Sequence, residues 1–248
     1  MIKAYHRPGL KKEAVDLYHR PNTRSIFILG SSHFGSSKGI DVELIDLQDV
    51  RDQLSPSADE TKILNCLEFA NEFTRKEALV PLLPQALKRD LTENQRNQVP
   101  LSGLLYHANG QCITASVLMA CDADVTLFMD GQRIKIDDWL LKRDNIGFEV
   151  CEKIDIPEAV NVTFEDISKT PFDYPQLVVA LAQWKSGRTR LVVGASEMAL
   201  PQLVFDGTEP GGIKEATRNA CKHLFERSKE AAYYTEASLI LLERLLAK

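Results

Sequence analysis

A short uninterrupted apolar run, SIFIL over residues 25–29, breaks directly into a turn of small residues, GSSHFGSSKG over 30–39. Apolar residues in succession, with no polar alternation, read as a strand buried inside a sheet, and the glycine and serines end it. A strand opening into a small-residue loop is a geometry that receives phosphate, because backbone N–H groups converge there and little side chain blocks the approach. Gly30, Ser31 and Ser32 can supply those amides, and Ser31 adds a hydroxyl donor. His33 can donate to a phosphate or to a ring edge, although an exposed loop histidine accounts for it equally. Leu29 precedes the turn and Phe34 lies within it.

The surrounding pattern is that of an α+β chain, with strands and helices in clusters. The N-terminal stretch LKKEAVDLYHR places Leu10, Ala14, Val15 and Leu17 or Tyr18 on one helical face, between Pro8-Gly9 and Pro21. Val42 to Leu47 reads as a strand and Ile63 to Ala70 as a short element. A polar helix is expected from Phe73 to Leu91, interrupted at Pro81 and Pro84, followed by a solvated stretch, DLTENQRNQ. Ala115 to Ala120 reads as helix, Asp124 to Met129 as strand and Asp130-Gly131 as a turn. Beyond Pro157, Val160 to Phe164, Gln176 to Trp184 and Arg188 to Ala195 read as an antiparallel sheet, the last two joined at Lys185-Ser186-Gly187. Helices are expected at Ile213 to Arg227 and Ala231 to Leu246.

With 248 residues, 44% of them hydrophobic and 26% charged, the chain can bury a sizeable core, and no apolar run approaches the roughly 20 residues of a membrane span. The start lacks the pattern of a secretory signal, which makes the expected location cytoplasmic. A net charge of -5 disfavours a dedicated nucleic-acid binder. Cys66, Cys112, Cys121, Cys151 and Cys221 are odd in number and widely spaced, so free buried thiols are expected rather than disulfides, and no metal site is expected. No glycine-flanked nucleophilic serine and no His-Glu-x-x-His pattern occurs.

The run FILGSSHFGS at 27–36 and the segment from Arg96 to Leu127 together resemble the two flavin-contacting stretches of the FAD-binding subunit of molybdenum hydroxylases, the group that includes carbon monoxide dehydrogenase and xanthine dehydrogenase. Tyr5-His6-Arg7-Pro8 with the following Glu13-Ala14, and the strand ending Ile45-Asp46-Leu47, are similar to that family in order and spacing. The second stretch matches at its ends, Arg96-Asn97 and Asp122-Ala123. Its middle departs: Pro100, Leu101, Ser102, Gly103 and Leu104 stand where the family has threonine, isoleucine, two glycines and asparagine. Cys112-Ile113 stands where it has serine and aspartate. Residues 167–175 and the strands and helix that follow are similar to its C-terminal part.

The resemblance implies a two-lobed FAD-binding domain over residues 1–158 and a small antiparallel-sheet-plus-helices domain over 159–248. It implies FAD held by Leu29, Gly30, Ser31, Ser32, His33, Phe34, Ser102, Gly103 and Lys169, with no catalytic acid, base or nucleophile in this chain. It implies electron transfer from iron–sulfur clusters to an acceptor, with molybdopterin and iron–sulfur subunits as partners; the cofactor supplies the redox chemistry. Leu104 and Ile113 offer no side-chain hydrogen bonds, though Tyr106, His107 and Asn109 lie near enough in sequence to compensate. A scaffold or assembly protein that keeps the fold without flavin is therefore the alternative. A stand-alone flavoenzyme is a third reading, disfavoured by the absence of a substrate-domain insertion.

Overall fold

Apolar runs without alternation predict strands covered on both faces, and the computed structural model has them so; it describes residues 1–35, 41–53, 63–74, 82–145, 147–157, 161–170 and 173–247. In chain order the elements are β1 (Ile2–His6), α1 (Lys11–Tyr18), β2 (Ser25–Leu29), β3 (Ser32–Phe34), β4 (Val42–Asp46), α2 (Gln48–Gln53), β5 (Ile63–Asn65) and α3 (Ala70–Phe73). Then come α4 (Leu83–Asp90), α5 (Glu93–Arg96), α6 (Leu101–Tyr106), α7 (Ile113–Ala120), β6 (Asp124–Leu127), β7 (Arg133–Lys135), α8 (Ile136–Lys142) and β8 (Cys151–Asp155). The remainder is β9 (Asn161–Ile167), β10 (Leu177–Gln183), β11 (Thr189–Ala195), β12 (Gln202–Gly207), α9 (Ile213–Leu224) and α10 (Ala231–Leu246). The class is α+β, with three four-stranded sheets among the described residues.

Two compact units share the chain. Met1–Leu79, Glu93–His107 and Asp124–Asp155 make the first, while Val80–Thr92, Ala108–Ala123 and Ile156–Lys248 make the second. The first unit holds two sheets. One has the order β1-β4-β2-β3, with β4 parallel to both β1 and β2 and β3 antiparallel to β2. The other, ordered β5-β8-β6-β7, is antiparallel throughout. Phe27, Phe34, Phe128 and Trp139 are fully buried in this unit.

In the second unit β9 to β12 form a sequential antiparallel meander. β10 pairs with β9 and β11 over seven residues each, from Leu177↔Ile167 and Leu177↔Ala195 to Gln183↔Asn161 and Gln183↔Thr189. Alternate residues Leu177, Val179, Leu181, Leu191, Val193 and Ala195 pack with Ile213, Phe225, Leu241, Leu242 and Leu245 of the C-terminal helices. The opposite face is covered by α7, all eight residues of which are buried. A β-carbon on Gly194 would lie 2.3 Å from the Gly110 carbonyl oxygen, so glycine sets how closely the backbone passes there. Two covered faces explain why β10 and β11 carry no polar alternation.

Several expectations change. Of the helix expected from Phe73 to Leu91, residues 75–81 lie outside the described residues and the remainder is chiefly α4, with Pro84 in its first turn, where its missing N–H is not needed. DLTENQRNQ contains the exposed turn of helix α5. β1, β7, β8, β12, α2 and α8 were not foreseen: β1 is largely exposed, and β7 is only three residues long. Ser36 to Gly39, Pro81, Val160, Pro171 and Phe172 lie outside the described residues.

Candidate functional site

β2 turns back into β3 with Leu29 paired to Ser32, leaving Gly30 and Ser31 as the two central residues of a hairpin loop. Gly30 has φ +56°, the left-handed conformation that a II′ loop demands at its first position. A β-carbon on Gly30 would fall 2.2 Å from the Gln98 carbonyl oxygen and 2.8 Å from the Phe69 ring. The turn therefore lies directly on the chain at Gln98. The Ser31 N–H donates to that same carbonyl at 3.0 Å, and the Ser31 hydroxyl approaches it at 3.3 Å.

The second turn expected at Pro100 to Leu104 is the start of α6, with Pro100 as its extended N-cap at φ -69°. Residues 66–70 run antiparallel beside it. Leu101 N–H donates to the Glu68 carbonyl at 3.0 Å, Ser102 N–H to that of Cys66 at 2.8 Å, and Ala70 N–H to that of Val99 at 2.9 Å. Gly103 faces the hairpin, and a β-carbon there would meet Ser32 Oγ at 2.0 Å and Ser32 Cβ at 2.5 Å. Ser32 thus fills the space that Gly103 leaves. Ser102 is fully buried, and its hydroxyl has no hydrogen-bond partner among the described residues.

Tyr106 and His107, at the end of α6, also reach the hairpin. Tyr106 Oη accepts from Gly35 N–H at 2.9 Å, and its ring packs edge-on to Phe34 at 5.4 Å. His107 Nε2 donates to the His33 carbonyl at 3.1 Å, with the two imidazoles 5.0 Å apart. Burial, with His33 alongside, holds the His107 pKa below its ordinary 6.5.

In the second unit the start of α7 is held by a carboxyl group. Asp90, 6% exposed, accepts from Ile113 N–H at 2.9 Å and Thr114 N–H at 2.7 Å. Burial raises its pKa against the opposing pull of these donors. Cys112 is the N-cap, its sulfur accepting from Ala115 N–H at 3.4 Å, and burial pushes this thiol well up. All five cysteines are free and buried, as expected. At the other end of α7, Asp122 N–H bonds Met119 O and Ala123 N–H bonds Leu118 O, with Asp122 at φ 57°. That is a Schellman terminus with aspartate where glycine is usual. The Asp122 carboxylate then pairs with Arg188 and Arg190, each at 2.9 Å.

Of the residues expected to hold FAD, Leu29, Ser32, Phe34, Ser102 and Gly103 are buried, whereas Gly30, Ser31 and His33 are exposed. All eight belong to the first unit. Lys169 is exposed in the second unit, just after β9, and Asn109 holds a local turn by accepting from Gln111 N–H at 2.9 Å. Among the described residues there is no group of three or more His, Cys, Asp or Glu able to hold a metal, and no helix is long and apolar enough to cross a membrane.

Whole-chain comparison places this fold among known ones. The chain superposes on carbon monoxide dehydrogenase from Hydrogenophaga pseudoflava lacking the Mo-pyranopterin moiety, with a TM-score of 0.74 and 17% identity over 98% of this chain and 96% of that one. It superposes on quinoline 2-oxidoreductase from Pseudomonas putida 86 with a TM-score of 0.70 and 16% identity, over 98% and 96%. Reconstituted carbon monoxide dehydrogenase from Oligotropha carboxidovorans gives 0.68 and 15%, over the same shares. No protein-family model matches the sequence, and no curated protein sequence matches it. The likeness is one of fold.

A flavin dinucleotide brings a pyrophosphate that needs amide donors not otherwise engaged, and each N–H has one proton to give. Ser31, Leu101 and Ser102 already donate to carbonyls, and the slot above Gly103 is filled by Ser32. At Cys66, which is fully buried, withdrawing the Ser102 donor from the carbonyl costs about 1–3 kcal/mol. These three amides, with Ser32 over Gly103, do not fit the pyrophosphate. The groups that decide this, the carbonyls of Cys66, Glu68 and Gln98, escaped the sequence reading because a backbone oxygen has no residue-type signature. Asp90 escaped it too, as an acidic residue at the end of a polar helix.

Proposed function

We propose that this chain is a medium-type subunit of a molybdenum hydroxylase-type oxidoreductase, assembling with molybdopterin and iron–sulfur subunits. What supports the reading is the agreement between whole-chain fold likeness and the order of family-like segments from Tyr5-His6-Arg7-Pro8 to the C-terminal helices. The division into a domain over 1–158 and another over 159–248 belongs to the same proposal. Within it, the geometry favours a structural or assembly role, since the Ser31, Leu101 and Ser102 amides are engaged by protein carbonyls.

The electron-transfer reading, with FAD passing electrons from iron–sulfur clusters to an acceptor, is supported by the resemblance and by the exposed Ser31, His33 and Lys169. It requires the Ser31, Leu101 and Ser102 amides to exchange their carbonyl partners for phosphate. The test of the assembly role is to purify the tagged chain from its own cells and measure molybdenum and iron in what stays bound. Both metals in stoichiometric amounts are expected. A metal-free chain that oxidises a substrate by itself through a bound flavin would instead select the stand-alone flavoenzyme.

A further inference from the structure

We infer that the chain's own atoms occupy the position that the resemblance gives to the dinucleotide's phosphates, so that the fold is retained and FAD is not bound. The inference rests on the family reading above, because that reading assigns the two turns to flavin. Two features of the first unit carry it. First, the hairpin loop lies on residue 98: Gly30 leaves 2.2 Å to the Gln98 carbonyl oxygen for any added carbon, and Ser31 gives that oxygen its N–H. Second, the Leu101 and Ser102 amides opening α6 are engaged along residues 66–68, and Ser32 Oγ and Cβ fill the hollow over Gly103.

Each feature substitutes an internal acceptor for an external one. A carbonyl oxygen satisfies an N–H as a phosphate oxygen does, and it is covalently attached, so no ligand concentration is needed to keep it there. The substitutions also run in one direction chemically. Glycine gives way to Ser102 and asparagine to Leu104, which removes room and a side-chain amide together, and Ser102 ends fully buried. Ser102, fully buried, presents no surface to a dinucleotide approaching from solvent.

The test uses the full-length chain and the assembled complex. Each is incubated with excess FAD, freed of unbound flavin, and scanned in the visible region; the chain alone is then titrated with pyrophosphate while the amide resonances of Ser31, Leu101 and Ser102 are followed. No retained flavin and a Kd for FAD weaker than about 1 mM are expected, with the three amides unmoved. Stoichiometric flavin held by this chain in either form, or saturable shifts of those amides, would overturn the inference. Metal content reports on assembly and the flavin spectrum on this site, so the two readings fail separately.

Discussion

The four-stranded sheet of the second unit and the paired turns of the first unit are stabilised in different ways. In the sheet, seven-residue registers and two covered faces put leucine, valine and alanine in contact with α7, α9 and α10. At the turns, ordering comes from individual backbone bonds between segments far apart in sequence, Ser31 with Gln98 and Ser102 with Cys66. Burial is distributed and tolerates small errors, whereas a close backbone approach depends on one atom being absent. The difference suggests that the sheet sets the stability of its unit, and the turns set what their unit can accept.

The largest effect should come from the sheet. Leu191→Ala removes a fully buried side chain from the core between β11 and the C-terminal helices, and a loss of about 2–5 kcal/mol is expected in denaturant unfolding. Gly103→Ala should cost less, about 1–3 kcal/mol, by forcing a methyl into Ser32. The sharper result is the double variant: Ser32→Gly should return much of that loss, because the clash is with the Ser32 side chain itself. Equal losses with and without Ser32→Gly would mean that the turns are not interlocked as described.

The smallest effect is one of protonation. His107 has a folded pKa below its ordinary 6.5, so the unfolded chain binds its proton first as pH falls. Its contribution to stability is complete above about pH 6.5 and is lost as pH drops through that value toward the folded pKa. Nuclear magnetic resonance titration of the His107 ring should give a midpoint under 6.5, and His33→Ala should raise it. A midpoint unaffected by His33→Ala would leave burial as the sole cause.

What could be read from sequence follows the same division. SIFIL, QLVVALA and RLVVGA announced β2, β10 and β11 because burial on both faces leaves an unbroken apolar run. The hairpin at residues 185–187 was equally visible. β1 and β12 were not, since a strand with exposed positions, such as Ile2 and Tyr5 or Leu203, has no such run. At the candidate site, Gly30 and Gly103 were recognised as special positions, and Tyr106 and His107 do reach the hairpin. What they were special for was hidden: the atoms that fill the space around the two glycines are the Gln98 carbonyl and the Ser32 side chain. Sequence names side chains, and this site is built largely from main chain.

The order β5-β8-β6-β7 carries a consequence for synthesis. β8, the last of these strands to leave the ribosome, lies inside the sheet and bonds to both β5 and β6. At about 5–20 residues per second, the segment from β5 to β8 takes several seconds to emerge. Until Cys151–Asp155 arrives, β5 and β6 each present an open edge with unmet hydrogen bonds. The nascent chain is therefore most exposed to mispairing just before its first unit is complete, and a fragment ending ahead of Cys151 should be far more prone to aggregate than one ending after Asp155.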